Sequence, residues 1–156
     1  MIIDVTEVET ERPKYNQKDW FSGKKWMHTV KFQTVINANT NEILNIFSDI
    51  GKNHDFKTFK NSKLKFLPET IILADKGYQV LQKIHANTFL PIKISKNNPK
   101  TNKTKIFNKI INKTRRKIGH WLDKFTFLSS NLYKLIWRHF QSNNYSIIVS
   151  ISNKFF

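Results

Sequence analysis

Apolar positions follow one rhythm up to about residue 94 and another beyond it. Residues 2–8, Ile-Ile-Asp-Val-Thr-Glu-Val, place β-branched side chains on both sides of Asp4 and predict a strand. Residues 9–24 are polar, contain Pro13 and Gly23, and predict a loop or hairpin connection. Residues 28–37 carry Val30, Phe32, Val35 and Ile36 and predict a second strand, and residues 42–48 a third. The turn Ala38-Asn39-Thr40-Asn41 between them makes the pair a hairpin. Gly51-Lys52-Asn53-His54-Asp55 then predicts a turn in which His54-Asp55 cap a short helix over 55–62, where Phe56, Phe59 and Lys60 fall at helical spacing. Residues 69–75 form a nearly continuous apolar run, a buried strand ending at Asp75-Lys76-Gly77, with Gly77 permitting a sharp turn. A short helix over 78–86 and a fifth strand over 88–94, interrupted by Pro91, follow.

Beyond a basic loop at 95–104 the spacing becomes helical. Ile106, Ile110, Lys113, Lys117 and Trp121 predict one long, basic, amphipathic helix over 105–125, with Ile111, Ile118, Leu122 and Phe125 on its apolar face. Residues 131–140 predict a last helix, and Tyr145 to Ile151 read either way. Antiparallel strands first and βα units afterwards predict an α/β fold, a mixed sheet flanked by helices. A chain of 156 residues suits one domain. Its core is expected over 1–125, with a helical extension over 126–156. No apolar run approaches the ~20 residues of a membrane-spanning helix, so no membrane partner is expected. The N-terminus does not resemble a secretory signal. With no cysteine, disulfides, zinc ribbons, iron–sulfur clusters and thiol nucleophiles are excluded.

Charge adds a partner. The formal net charge is +16, unevenly spread: residues 1–75 hold 11 basic and 10 acidic residues, whereas residues 76–156 hold 16 basic residues and one acid, Asp123. Such a field draws polyanions. It also suits a solvated basic tail, but aromatic residues interleaved with the charge favour nucleic acid. Lys24, Lys25, Arg115, Arg116 and Lys117 are the candidate phosphate contacts. For Trp20, Trp26, Trp121 and Trp137, base stacking competes with packing in the core, and packing is expected. His28, His85, His120 and His139 show no metal-ligand spacing.

The isolated acids suggest chemistry. Asp4 lies within one apolar strand and Asp75 ends another. A carboxylate at such a position is costly unless paired or bound to a cation. Ligands of α/β sheets bind beside strand C-termini. If the two strands are neighbours, Asp4 and Asp75 can share Mg²⁺ or Mn²⁺, which prefer oxygen ligands. The alternative is an Asp4 that faces solvent and an Asp75 that caps the next helix.

The runs DVTEVETERPKYNQKDWFSGKKWMHTVK, GKNHDFKTFKNSKL and ETIILADKGYQVLQKIHANTFLPIKISKNNP contain an Asp-X-Thr strand, a Gly-X-X-His-Asp turn and an Asp-X-Gly-Tyr strand end, in that order. In these the chain resembles the catalytic region of bacterial insertion-sequence transposases of the DDE superfamily, in the branch related to Harbinger-type endonucleases. The resemblance implies a ribonuclease-H-like fold. It also implies three carboxylates holding two divalent metals, one activating a water or a DNA 3′-hydroxyl and the other stabilising the leaving oxygen. Asp4 matches the first carboxylate and Asp75 the second, both as catalytic and metal-binding residues. The third should be a Glu four residues after an Arg on the long helix. Arg115 matches that Arg, but Gly119 occupies the Glu position, and no Glu follows Asp75. The only substitute is Asp123, which lies about 6 Å further along a helix axis, against ions only ~4 Å apart. Val80 also stands where the family usually has Gly.

Family members carry a helical DNA-binding region before the catalytic strand, whereas this chain begins three residues before Asp4. The resemblance therefore leads us to expect a truncated, inactive transposase domain, a decayed fragment or one half of a split gene. DNA would be its partner in the bacterial cytoplasm, beside the nucleoid, together with a separately encoded N-terminal fragment or an intact transposase. The alternative is a non-catalytic, basic DNA-binding remnant that interferes with an intact transposase.

Overall fold

The computed structural model describes residues 1–95, 99 and 101–116. The far half of the predicted long helix, the predicted helix at 131–140, the segment 145–151 and, with them, Lys117, Gly119 and Asp123 lie outside the described residues.

Strand β1 (Ile2–Glu9) is followed by a polar stretch that holds more order than its composition predicts: a one-turn helix α1 (Gln17–Trp20) and a two-residue strand β2 (Phe21–Ser22). Elements this short fall below the length at which apolar periodicity shows. Here Trp20 supplies the anchor, packing against the core. β3 (Met27–Ile36) pairs antiparallel with β1 on one side and with β4 (Ile43–Ile50) on the other, and β2 pairs with its first residues. The β3–β4 turn is closed by Asn37, whose N–H donates to the Glu42 carbonyl at 2.9 Å, and by Asn41 at φ 62°, a left-handed conformation that Asn tolerates.

Helix α2 (Asp55–Ser62) matches the predicted span. The apolar run at 69–75 contributes only Ile72–Leu73 as strand β5, because the backbone turns at Leu67–Thr70 before it. Ile72 and Ala74 are nonetheless fully buried. The helix expected over 78–86 divides into a 3₁₀ turn (Lys76–Tyr78) and α3 (Leu81–Ile84). Strand β6 is limited to Thr88–Phe89, since Pro91 has no N–H for the ladder. β5 and β6 extend the sheet in parallel beside β1, with Ile2 opposite Leu73 and Ile72 opposite Thr88. The last described element, α4, covers 102–116. It starts earlier than its apolar spacing predicts because the Thr101 hydroxyl accepts the Thr104 N–H at 3.2 Å, an N-cap.

Alternation along the strands gives the sheet two apolar faces. Ile3, Val35, Ile72 and Ala74 pack with Phe59 of α2, Tyr78 and Leu81. Ile2, Val30, Phe32, Ile36, Ile43 and Ile46 make the other core. This is the mixed α/β sheet that the pattern predicts, and its strand order is consistent with a ribonuclease-H-like fold.

Candidate functional site

Asp4 and Asp75 leave neighbouring parallel strands. Since Ile2 stands opposite Leu73, two residues onward on each chain bring Asp4 and Asp75 level and onto one face. Arg115 of α4 lies between them: Nη1 donates to Asp75 Oδ1 at 3.0 Å, and Nη2 lies 3.3 Å from both carboxylate oxygens of Asp4. The group is open to solvent mainly at Asp75. The side chains of Arg115, Asp4 and Asp75 are 15%, 22% and 46% exposed. Burial pushes the Asp4 carboxyl above its usual range. The Arg115 guanidinium and the Val5 N–H, 3.0 Å from Oδ1, oppose that shift, and Asp75 adds to it. Neither alternative for the two acids matches this arrangement. Asp4 faces a cation rather than solvent, and Asp75 stands at the N-cap of the 3₁₀ turn without a side-chain capping bond.

Two carboxylates converging on one cation are a donor set that a divalent metal can use. Among the described residues no group of three His, Cys, Asp or Glu side chains could hold a metal ion.

On the opposite face a second charged group joins the two motif turns. Glu7 stands opposite Lys31 on adjacent strands. Lys31 Nζ lies 3.2 Å from Glu7 Oε1 and 2.9 Å from Asp55 Oδ1. Glu7 also accepts the Ser22 hydroxyl at 2.8 Å. The expected cap at His54-Asp55 is thus only positional: His54 occupies the N-cap of α2, but its side chain makes no capping bond, and Asp55 turns to Lys31 instead. Asp49 holds the turn, accepting the Ile50 N–H at 2.8 Å and the side-chain amides of Asn53 and Asn61 at 2.7 and 2.9 Å.

Gly77 has no positive φ, so its role differs from the predicted sharp turn. A Cβ at Gly77 would lie 2.9 Å from Asp55 Oδ2, so the glycine lets the two motif turns touch. Tyr78 beside it is fully buried and donates to Gln33 Oε1 at 3.3 Å. Burial, reinforced by Asp55 and Asp4, pushes its phenol well above the usual range and keeps it protonated. A cavity of about 710 Å³ opens beside these residues, walled by Glu7, Phe21, Lys24, Lys31, Asp55 and Gly77 among others.

The candidate phosphate contacts divide. Lys24, Lys25 and Arg116 are exposed, whereas Arg115 points into the carboxylate pair. The tryptophans divide as well. Trp20 packs against the core as expected, but Trp26 is 81% exposed, against the packing role predicted for it. Glu7 and Lys31 were not singled out from the sequence. The signal they offered was opposite charge at facing positions within two adjacent apolar strands.

The family described as DDE superfamily endonuclease matches residues 3–139 of this chain. A curated protein of Microchaete diplosiphon, the probable transposase for insertion sequence element IS702, is 41% identical over 120 residues, which cover 77% of this chain and 44% of that relative. The chain thus spans less than half the length of the relative it matches. No solved structure matches it.

Proposed function

We propose, because the chain belongs to the DDE superfamily of endonucleases, that its Asp4–Asp75 pair descends from the metal site of a DNA strand-transfer enzyme acting in transposition. The observation that carries this reading is the meeting of the two acids on neighbouring parallel strands around a single cation. Asp4 and Asp75 would hold Mg²⁺ or Mn²⁺. Such a metal, when bound, supplies an activated water or 3′-hydroxyl and stabilises the departing oxygen. The chain's own residues do the rest. β1 and β5 fix the spacing of the two carboxylates. Burial of Asp4 keeps water from screening its charge. The exposed Lys24, Lys25 and Arg116, with Lys117, attract the phosphate backbone of DNA.

We further propose that the chain as written does not cleave DNA at a useful rate, because Gly119 offers no third carboxylate. The Arg115 bridge favours the second reading, a DNA-binding remnant that interferes with an intact transposase, since the chain's own guanidinium already occupies the space between the two acids. A metal-dependent nicking assay on element-end DNA tests both, using the chain itself, Gly119→Glu and Asp123→Ala. The first and third are expected to be inert, and Gly119→Glu to gain weak activity. Activity in the unmodified chain that disappears in Asp123→Ala would overturn the reading and move the third carboxylate by one helical turn. DNA binding by the unmodified chain that weakens steeply with salt is expected of either reading.

A further inference from the structure

The turn between β2 and β3 holds an aromatic ring out in solvent. Trp26 is 81% exposed at φ 57°, a backbone conformation that is a rare outlier for a bulky residue. Large apolar side chains that stand this far out are informative, because burying them would have been favourable. The turn is nonetheless rigidly held. The Trp26 N–H donates to the Ser22 carbonyl at 2.8 Å, and the Lys25 N–H to the Ser22 hydroxyl at 3.3 Å. Ser22 itself is tied to Glu7, and through Glu7 to the buried Lys31. Phe21, 37% exposed, stands edge-on to Trp26 with ring centroids 6.4 Å apart, and edge-on to His28 at 5.7 Å. Lys24 and Lys25 precede Trp26 in the turn and are exposed. The cavity of about 710 Å³ is walled in part by Phe21, Ser22, Gly23 and Lys24 of this turn.

An exposed indole that follows two exposed lysines in a hydrogen-bonded turn, whose Phe21 and Lys24 also wall a cavity, fits one chemistry well: an unpaired nucleotide. Its base would stack on the indole and its phosphate would meet an ammonium. A duplex offers such an aromatic ring no base face inside its stack. We propose that the Phe21–Trp26 turn and the cavity beside it form a site for an unpaired base of bound DNA. This rests on the DNA reading of the carboxylate site, and the test separates the two.

The full chain is titrated in chelator, so that no cleavage intervenes, against a blunt duplex and against the same duplex with a short single-stranded tail carrying 2-aminopurine. Wild type is expected to prefer the tailed probe by about tenfold and to quench its fluorescence, as loss of one base–aromatic stack implies. Trp26→Ala should lose the preference and the quenching while binding the blunt duplex as before. Trp26→Phe should keep most of both. Trp26 is exposed, so both variants should melt with wild type, which a thermal scan checks. No preference in wild type, or a preference that survives Trp26→Ala, overturns the unpaired-base site and leaves the duplex reading standing. Trp26→Ala that weakens both probes equally also overturns it, by making Trp26 a general backbone contact. Wild type that binds neither probe overturns the DNA reading and this inference together.

Discussion

The two faces of the sheet carry opposite arrangements of the same ingredients. On one face Arg115 stands between Asp4 and Asp75; on the other Lys31 stands between Glu7 and Asp55. Each group has two acids and one base, yet they differ in where the base comes from. Lys31 lies directly across the ladder from Glu7, so the sheet register makes that pair as soon as β1 and β3 align. Both side chains are under a tenth exposed. Arg115 comes from a helix 111 positions away from Asp4, and its partner Asp75 is 46% exposed. A cation fixed by register and sealed from water belongs to the scaffold. One delivered from a distant helix into a half-open site can be exchanged for another cation. On the proposed reading the exchangeable group is the one that would take a metal, and the sealed one holds the motif turns beside it.

The largest effect that would break this comparison is loss of the sealed cation. Lys31→Met leaves Glu7 and Asp55 facing each other without a base. Removing one partner of a buried ion pair costs about 3–5 kcal/mol. Lys31→Met should therefore unfold far more readily in urea than wild type, with reduced Ser22–Glu7 order and a looser β2–β3 turn. A loss under about 1 kcal/mol, the range of exposed pairs, would mean that Lys31 is not a sealed scaffold cation.

Arg115→Met should behave differently on both counts. Because Asp75 is open to solvent while Arg115 and Asp4 are mostly buried, removal of the bridge should cost more than the ~0–1 kcal/mol of an exposed pair and less than the ~3–5 kcal/mol of a sealed one. It should, however, free two carboxylates for a divalent cation. The gain expected is about tenfold in Mn²⁺ affinity, roughly 1.4 kcal/mol, read by calorimetric titration or by the Mn²⁺-induced rise in melting temperature. Equal Mn²⁺ affinity in wild type and variant would mean that the guanidinium does not compete for the acids. The same measurement on Lys31→Met should show no gain.

The contrast also explains what the sequence made legible. Strands β1, β3 and β4 and helix α2 were readable because each repeats its period several times, and Asp4 and Asp75 stood out as acids within apolar runs. β5 and β6 were overextended because buried residues outside a ladder, such as Ala74, share the apolar signature of a strand. Gly77 was legible as a necessary glycine, but the reason lay in a long-range contact: Asp55 approaches it from a turn 22 positions earlier. Arg115 looks like a phosphate contact because a basic helix face looks solvated in one dimension. Only the packing of α4 turns that side chain inward. Residue type predicts packing for Trp26, and only the pinned turn at Ser22 shows it held out in solvent.

The smallest effect, and the sharpest on the exchangeable group, lies in the pH dependence of stability. Burial holds the Asp4 carboxyl above its ordinary range despite Arg115. The folded chain therefore keeps this proton to higher pH than the unfolded chain does. Wherever the folded state binds more protons, stability falls as pH rises. The contribution of Asp4 is thus full below the ordinary aspartate value and is lost as pH rises through the raised folded value. Asp4→Asn keeps the shape and removes the titration. Urea denaturation across the acidic-to-neutral range should show wild type losing ground to Asp4→Asn over that window, with the difference flat above it. In an Arg115→Met background the attraction that opposes burial is gone, so the bend should move to higher pH and deepen. A difference that bends the other way, with wild type gaining on Asp4→Asn as pH rises, would mean that the Arg115 bridge outweighs burial. The two charged groups would then both be scaffold, and a metal would have to displace a stabilising ion pair to enter.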